Sequence, residues 1–234
     1  MTNFFLRLLA LCGLLFGVAC SGVAPRDGGD ILVIGDSVLA WNNPTRQDIG
    51  RVVGAQLQRD VVIRAVPGAK LQAERAWAAA AGFDIRQQYP GGRWNWVVIN
   101  GGANDMGFND CGCGDCRSVV EGLISADGSN GVVPAFLDEV RRSGARVLWM
   151  GYYSSPGTSF EGCADDLDLL EDRIKRNLAR DPRGHFLEGE EVLTKGNPAH
   201  FDRDDTHPSV AGSALLGTAL AEMIRAVENR SQNR

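Results

Sequence analysis

The chain has 234 residues, 44% hydrophobic and 23% charged, with a formal net charge of −5. That length fits one domain of about 200 residues or two small ones, and the composition excludes a collagen-like, coiled-coil or wholly disordered protein. The acidic balance argues against a nucleic-acid-binding surface, which needs a basic patch, and the 29 glycines predict many tight turns between short elements.

In chain order, residues 1–20 read as an export signal that stands outside the fold. Arg7 is their only charge, and Leu8 to Ala19 is an almost unbroken apolar run of 12 residues, too short to span a bilayer comfortably. The small residues Gly17 and Ala19 precede Cys20, as cleavage by a signal peptidase requires. Gly17-Val18-Ala19-Cys20 also resembles a bacterial lipoprotein box, in which the cysteine is lipidated and starts the mature chain. Gly17 departs from the Leu usual at that place. The expected product is exported: periplasmic, secreted, or anchored to the envelope membrane through Cys20. Without residues 1–20 it carries 23 basic and 29 acidic residues, a charge of −6. Residues 21–29 read as a Gly/Pro-rich tether, 30–228 as one domain, and 229–234 as a polar, frayed tail.

Ile31 to Ile34 is a continuous apolar run, which suits a strand covered on both faces. Asn43-Pro44 predicts a helix start, with Ile49, Val52, Val53, Ala55 and Leu57 at roughly helical spacing. Val61–Ile63 is a second strand, followed by Pro67-Gly68. The Ala-rich stretch 71–81 is expected to be helical. Trp96–Ile99 is a third strand, Val133–Val140 a helix, and Ala145–Met150 a fourth strand. Leu167–Leu178 is a helix with Leu170, Ile174 and Leu178 on one face. Phe186-Leu187 marks a short fifth strand, and Pro208–Val227 a final helix. No internal repeat is present.

A β-α pattern repeated about five times implies a three-layer α/β/α sandwich around a mostly parallel sheet. Ligand sites in such sheets lie beyond the carboxyl ends of the strands. Functional residues are therefore expected just after Ile34, Val66 and Ile99, and in the loop before the last helix. Gly35-Asp36-Ser37-Val38, Gly68, Gly102-Ala103-Asn104-Asp105 and Asp204-Asp205-Thr206-His207-Pro208 fall at those places. Serine, glycine, asparagine and histidine in this order resemble the four blocks of the SGNH hydrolases, also called GDSL esterases and lipases. The resemblance runs from about Ile31 to Ala226, with Val38 where the name motif has Leu.

The chemistry accounts for these residue types. A serine hydroxyl is a poor nucleophile until a base takes its proton, and His207 can do so near neutral pH. Asp204, three residues earlier, can fix the imidazole tautomer and stabilise the imidazolium; the family spacing favours it over Asp202 and Asp205. The resemblance implies an oxyanion hole made by the Ser37 and Gly68 backbone N–H groups and the Asn104 side-chain amide. Asp36 and Asp105 are expected to brace loops, and His185 and His200 to stand apart from the chemistry. The implied activity is ester hydrolysis through an acyl-enzyme, with no cofactor and no metal. With no long apolar lid helix in the sequence, short acyl groups such as O-acetyl are favoured. The family spans esters of small molecules, carbohydrates and lipids, and the sequence leaves the natural substrate and the oligomeric state open. A rival reading is a catalytically weak envelope lipoprotein that binds carbohydrate or lipid in the same cleft.

Metal ligation by His200, Asp202, Asp204, Asp205 and His207 would leave Ser37 and Asn104 unexplained. Cys12 lies in the signal, which leaves Cys111, Cys113, Cys116 and Cys163, an even number for an oxidising compartment. Four zinc-binding thiolates are an alternative to two disulfides. The spacing alone allows three pairings. Because the loops after the third and fourth strands share one sheet edge, Cys163 is expected to bridge to the Cys111–Cys116 cluster, with the other two cysteines paired locally.

Overall fold

A computed structural model describes residues 29–107 and 111–232. The expected signal, Cys20 and residues 21–28 of the tether lie outside the described residues. Five strands form one parallel sheet: β1 (Gly29–Ile34), β2 (Val61–Ile63), β3 (Trp94–Ile99), β4 (Arg146–Met150) and β5 (Gly184–Leu187), in the order β2-β1-β3-β4-β5. The register sets Ile34 beside Ile99 and Ile99 beside Trp149. The chain runs outward from β1 to β2, then returns to lay β3 on the other side of β1. The connections leaving β1 and β3 therefore diverge, and this strand-order reversal opens a crevice at their carboxyl ends.

The continuous apolar strands are explained by burial on both sides. Leu32, Ile34, Val97, Ile99, Val147 and Trp149 join one core; Ile31, Val33, Trp96, Val98, Leu148 and Met150 join the other. Each core is closed by helices. In chain order these are α1 (Ser37–Ala40), α2 (Ile49–Leu57), α3 (Ala76–Ala78), α4 (Ile85–Gln88), α5 (Ala103–Gly107), α6 (Arg117–Leu123), α7 (Val132–Arg142), α8 (Ala164–Leu178), α9 (Gly189–Val192) and α10 (Val210–Gln232). Helices α6, α7 and α8 cover the first face, and α2 with α10 the second. Helix α10 is long and apolar enough to cross a membrane by composition, yet Leu216, Leu220, Ile224 and Val227 bury its inner side in the second core.

Three expectations are corrected and one short helix is added. The helix expected from Asn43 begins at Ile49, capped by Asp48, whose carboxylate accepts from Arg51 N at 3.0 Å. Asn42 and Arg46 take positive φ, so residues 42–46 form turns before it. The Ala-rich stretch 71–81 is helical only from Ala76, where α3 passes into a π-helical turn. Its first residues are held out of a helix because Leu71 N and Gln72 N donate to Asp105, and Ala73 N to Asp84. Alanine propensity, at tenths of a kcal/mol per residue, loses to such bonds. Residues 103–107 form a short helix that the sequence pattern did not announce. At the other end, α10 continues through Gln232, so the expected frayed tail is helical over residues 229–232.

Candidate active site

The chain leaves β1 through Gly35 and turns at once into α1. Asp36 is its N-cap: one carboxylate oxygen accepts from Val38 N at 2.9 Å, which satisfies a helix-end donor and sets Ser37 as the first helical residue. The other oxygen accepts from the Tyr152 hydroxyl at 2.5 Å. Burial pushes the Asp36 carboxyl up, against the Tyr152 and Val38 hydrogen bonds and the nearby His207. The Tyr152 hydroxyl is pushed well up by burial and by Asp36, so it stays a donor. It also accepts from Ala103 N at 3.0 Å. One phenol from the loop after β4 thus ties the Ser37 turn to the turn that carries Asn104.

His207 arrives on the loop between Phe201 and Pro208, which a two-residue antiparallel bridge closes at its base. Asp202 N donates to His207 O at 2.8 Å and Asp205 N to Asp202 O at 2.9 Å, so the loop holds its own shape. Inside it the Asp204 carboxylate accepts from Thr206 N and His207 N and meets His207 Nδ1 at 2.6 Å. Burial works to raise the Asp204 carboxyl, but the His207 ring and the two backbone donors outweigh it and hold the group below the usual carboxylate range. His207 Nε2 lies 2.8 Å from Ser37 Oγ. A neutral ring bonded through Nδ1–H to Asp204 presents its Nε2 lone pair to that hydroxyl, the arrangement needed to accept its proton. Trp41, one turn beyond Ser37, stacks on the His207 ring with centroids 3.7 Å apart and planes 5° from parallel.

Asn104 is the second residue of α5, just after β3. Its Nδ2 donates to Ala69 O at 3.0 Å, which leaves the second amide hydrogen for another acceptor. The preceding Gly102 has φ +124°, and a Cβ there would stand 2.4 Å from Leu170 Cδ2. Gly68 is the third residue of a turn closed by Ala69 N donating to Val66 O at 3.1 Å. With Pro67 second and φ +78° at Gly68, this is a type II turn, and the positive φ is what demands glycine. Ser37, Asn104 and His207 line one pocket of 60 Å³, together with Asp36, Tyr152 and Tyr153. Gly68 is not among the residues that line it; it is joined to the pocket through its neighbour Ala69. His207 Nδ1 meets Asp204 rather than Asp202 or Asp205, and Asp202 accepts from Trp41 Nε1 at 2.7 Å. His185 lies against Trp96 and His200 against Asn197, outside this pocket.

The four cysteines form disulfides Cys111–Cys116 and Cys113–Cys163. Cys163 bridges to the cluster and the remaining pair closes locally, as the shared sheet edge implied, so the thiols are not available to zinc. The long-range bridge anchors the segment Phe160–Ala164. Phe160, Glu161 and Ala164 wall a second cleft of 710 Å³, which shares Tyr152, Tyr153, Ser155, Phe160 and Leu167 with the Ser37 pocket. Glu161, Asp168, Glu171, Asp172, Glu188 and Glu190 line this cleft against Lys175 and Lys195.

The sequence profile of the GDSL-like lipase/acylhydrolase family matches residues 33–215. The chain belongs to that family. It is therefore an ester-hydrolysing enzyme of the SGNH hydrolase fold. Among solved structures, a carbohydrate acetylesterase family member from Sinorhizobium meliloti is similar at 16% identity and a TM-score of 0.62, over 86% of this chain and 98% of that one. A family two carbohydrate esterase from Clostridium thermocellum, solved with cellohexaose, is similar at 20% identity and a TM-score of 0.57, over 86% of this chain and 65% of that one. A family 2 carbohydrate esterase from Corynascus thermopiles, which carries a further carbohydrate-binding domain, is similar at 18% identity and a TM-score of 0.56, over 88% and 68%. At these identities the likeness is one of fold. No curated protein matches in sequence.

Within this GDSL hydrolase, sequence reasoning missed Trp41, Tyr152 and Asp202 as parts of the site. Trp41 had a usable signal, since a residue four after Ser37 returns to the same helical face. Tyr152 had a weaker one, its place at a strand end. The Trp41–Asp202 pairing spans 161 residues and has no local signature.

Proposed function

We propose that this hydrolase removes short acyl groups, O-acetyl foremost, from an uncharged polyhydroxylated alcohol such as a carbohydrate. The observation that carries the catalytic part is the continuous chain from Asp204 through His207 to Ser37, at 2.6 Å and 2.8 Å, in one pocket with Asn104. In this reading Ser37 Oγ attacks the ester carbonyl carbon while His207 Nε2 takes its proton. The carbonyl oxygen gathers negative charge and is met by the free Asn104 amide hydrogen and the Ser37 backbone N–H. The C–O bond to the alcohol breaks, and the alcohol leaves with the proton held by His207. Water then repeats the sequence on the acyl-enzyme, returning the proton to Ser37 and releasing the carboxylic acid. Asp204 remains ionised throughout and stabilises the imidazolium.

Two features support the substrate class. The Ser37 pocket is small, which favours short acyl groups. The adjoining cleft, where the alcohol would extend, is lined by five carboxylates, the buried Glu171 and two lysines. Such a wall repels phospholipid headgroups and other anionic alcohols and offers many acceptors to sugar hydroxyls. The solved carbohydrate esterases of the same fold agree with this reading. Export belongs to it too: the 1–20 signal fits a chain whose two disulfides need an oxidising compartment, with Cys20 as a lipid anchor. The test is a nitrophenyl ester series from acetate to octanoate on the mature protein, with acetate release from acetylated xylo- and cello-oligosaccharides. The reading expects the highest kcat/KM on acetate and release from at least one oligosaccharide. A preference for octanoate, or no release from any glycan, overturns the substrate class. Mass spectrometry of the N-terminal peptide from the native host tests Cys20: an acylated cysteine is expected, and an unmodified or absent Cys20 refutes the anchor.

A further inference from the structure

Trp41 closes a ring of contacts around the proposed base. Its backbone N–H donates to Ser37 O at 2.8 Å, its indole face covers the His207 ring, and its indole N–H donates to Asp202 Oδ2 at 2.7 Å. Asp202 in turn receives no freedom from its loop, since its backbone N–H is bonded to His207 O. Asp204 and Ser37 hold the two ring nitrogens of His207 in the plane of the imidazole. Neither restrains the ring against tilting out of that plane. A face-to-face contact at 3.7 Å supplies that third restraint.

The contact also distinguishes the two charge states of the imidazole. Over a neutral ring, the indole offers an ordinary stack. Over an imidazolium, the negative face of the indole attracts a cation, and Trp is the strongest aromatic partner for one. The carboxylate at the indole N–H pushes electron density into the ring and increases that attraction. The imidazolium exists only once the proton has left Ser37, so the added attraction belongs to the transition state and the tetrahedral intermediate. Interactions of that kind raise kcat rather than lower KM.

We propose that Trp41, polarised by Asp202, is a positioning residue for the proposed His207 base: it fixes the tilt of the imidazole and stabilises its protonated form during acyl transfer. The inference rests on the catalytic role of His207 set out above. The charged and titratable groups around the ring are Asp204 and Asp36, with Tyr153 at Thr206 O and Asp202 behind the indole. All except Asp202 are untouched by changes at Trp41.

The experiment compares Trp41→Phe, Trp41→Leu and Asp202→Asn with the parent on nitrophenyl acetate from pH 5 to 9. Active sites are counted by stoichiometric fluorophosphonate labelling, so that kcat refers to folded, competent enzyme. For Trp41→Leu the expected result is a fall in kcat of roughly 10- to 30-fold, the upper part of the cation–π range. KM should stay within about twofold for a contact made mainly in the transition state, and the acid limb of the kcat/KM profile should move to lower pH. Trp41→Phe keeps an aromatic face but no N–H donor, and should lose about 3- to 10-fold. Asp202→Asn keeps an acceptor for the indole but no charge, and should lose less, in the same direction. A purely structural role would lower the count of active sites and leave the limb in place. Parental kcat and an unmoved limb in Trp41→Phe and Asp202→Asn overturn the proposal, whether or not Trp41→Leu folds. His207→Ala separates the two readings: if it keeps activity, the base assignment fails, and if it is inactive while the Trp41 variants behave as parent, only the present inference fails.

Discussion

Glu171 gives a stability prediction whose size follows from its surroundings. It lies on the inner side of α8, 8% exposed, with Oε1 accepting from Tyr152 N at 2.7 Å. Burial pushes its carboxyl up to about 7 from 4.5; the Tyr152 bond and Lys175 oppose this, and the charges of Glu188 and Asp168 add to it. A carboxyl with a raised folded value binds its proton more tightly in the native state than in the unfolded chain. Its contribution is therefore fully present below about pH 4.5, is lost as the pH rises from there to about 7, and is constant above. At about 1.36 kcal/mol per pH unit the loss is roughly 3 kcal/mol. Glu171→Gln keeps an oxygen for Tyr152 N and removes the ionisation. Urea unfolding of both proteins at pH 4.5 and pH 8 measures the effect. The stability of Glu171→Gln relative to the parent should be higher at pH 8 than at pH 4.5 by about 2–4 kcal/mol. A difference that does not change with pH would refute the reasoning, because it would mean that Glu171 ionises freely despite its burial.

Asn104→Ala should lower kcat on nitrophenyl acetate by about 10²–10³-fold with little change in KM, the mark of a donor used in the transition state; steady-state kinetics at saturating substrate decide it. Asp204→Asn should keep the fold but lower kcat by on the order of 10³–10⁴-fold, since an amide can stabilise neither the imidazolium nor the required tautomer. The double change Cys113→Ser, Cys163→Ser opens a closed loop of 50 residues and should cost about 4 kcal/mol of stability in the chain-entropy account. Partial reduction of the parent should lower kcat/KM for bulky esters before circular dichroism reports unfolding, because the bridge anchors the Phe160 wall of the larger cleft.

Strand positions were legible because a sheet buried on both faces leaves continuous apolar runs, as Ile31–Ile34 and Trp96–Ile99 do. The parallel α/β architecture followed from the alternation of strands and helices, and the strand-end rule put the motif residues at one sheet edge, whereas the order of the strands carried no signal in the sequence. Helix limits were less legible where side chains far away in sequence compete for backbone donors. Asp105 takes the N–H groups of Leu71 and Gln72, 34 and 33 residues away, and so delays a helix that alanine content alone would start. Short helices such as α1 and α5 carry no periodicity to read. At the site, residues carried by short motifs could be named, whereas Tyr152 and Asp202 could not. Their roles depend on bonds that exist only after β4 and the 201–208 loop have been laid beside Ser37.

The proposed mechanism stands or falls with Ser37 as the nucleophile of an acyl-enzyme. Intact mass spectrometry of the mature protein after fluorophosphonate treatment, followed by peptide mapping, tests it most directly. One adduct per chain is expected, on Ser37, with loss of hydrolysis in proportion to labelling, and neither adduct nor turnover in a folded Ser37→Ala variant. An adduct on another residue, or a Ser37→Ala variant that hydrolyses nitrophenyl acetate at the parental rate, would contradict it.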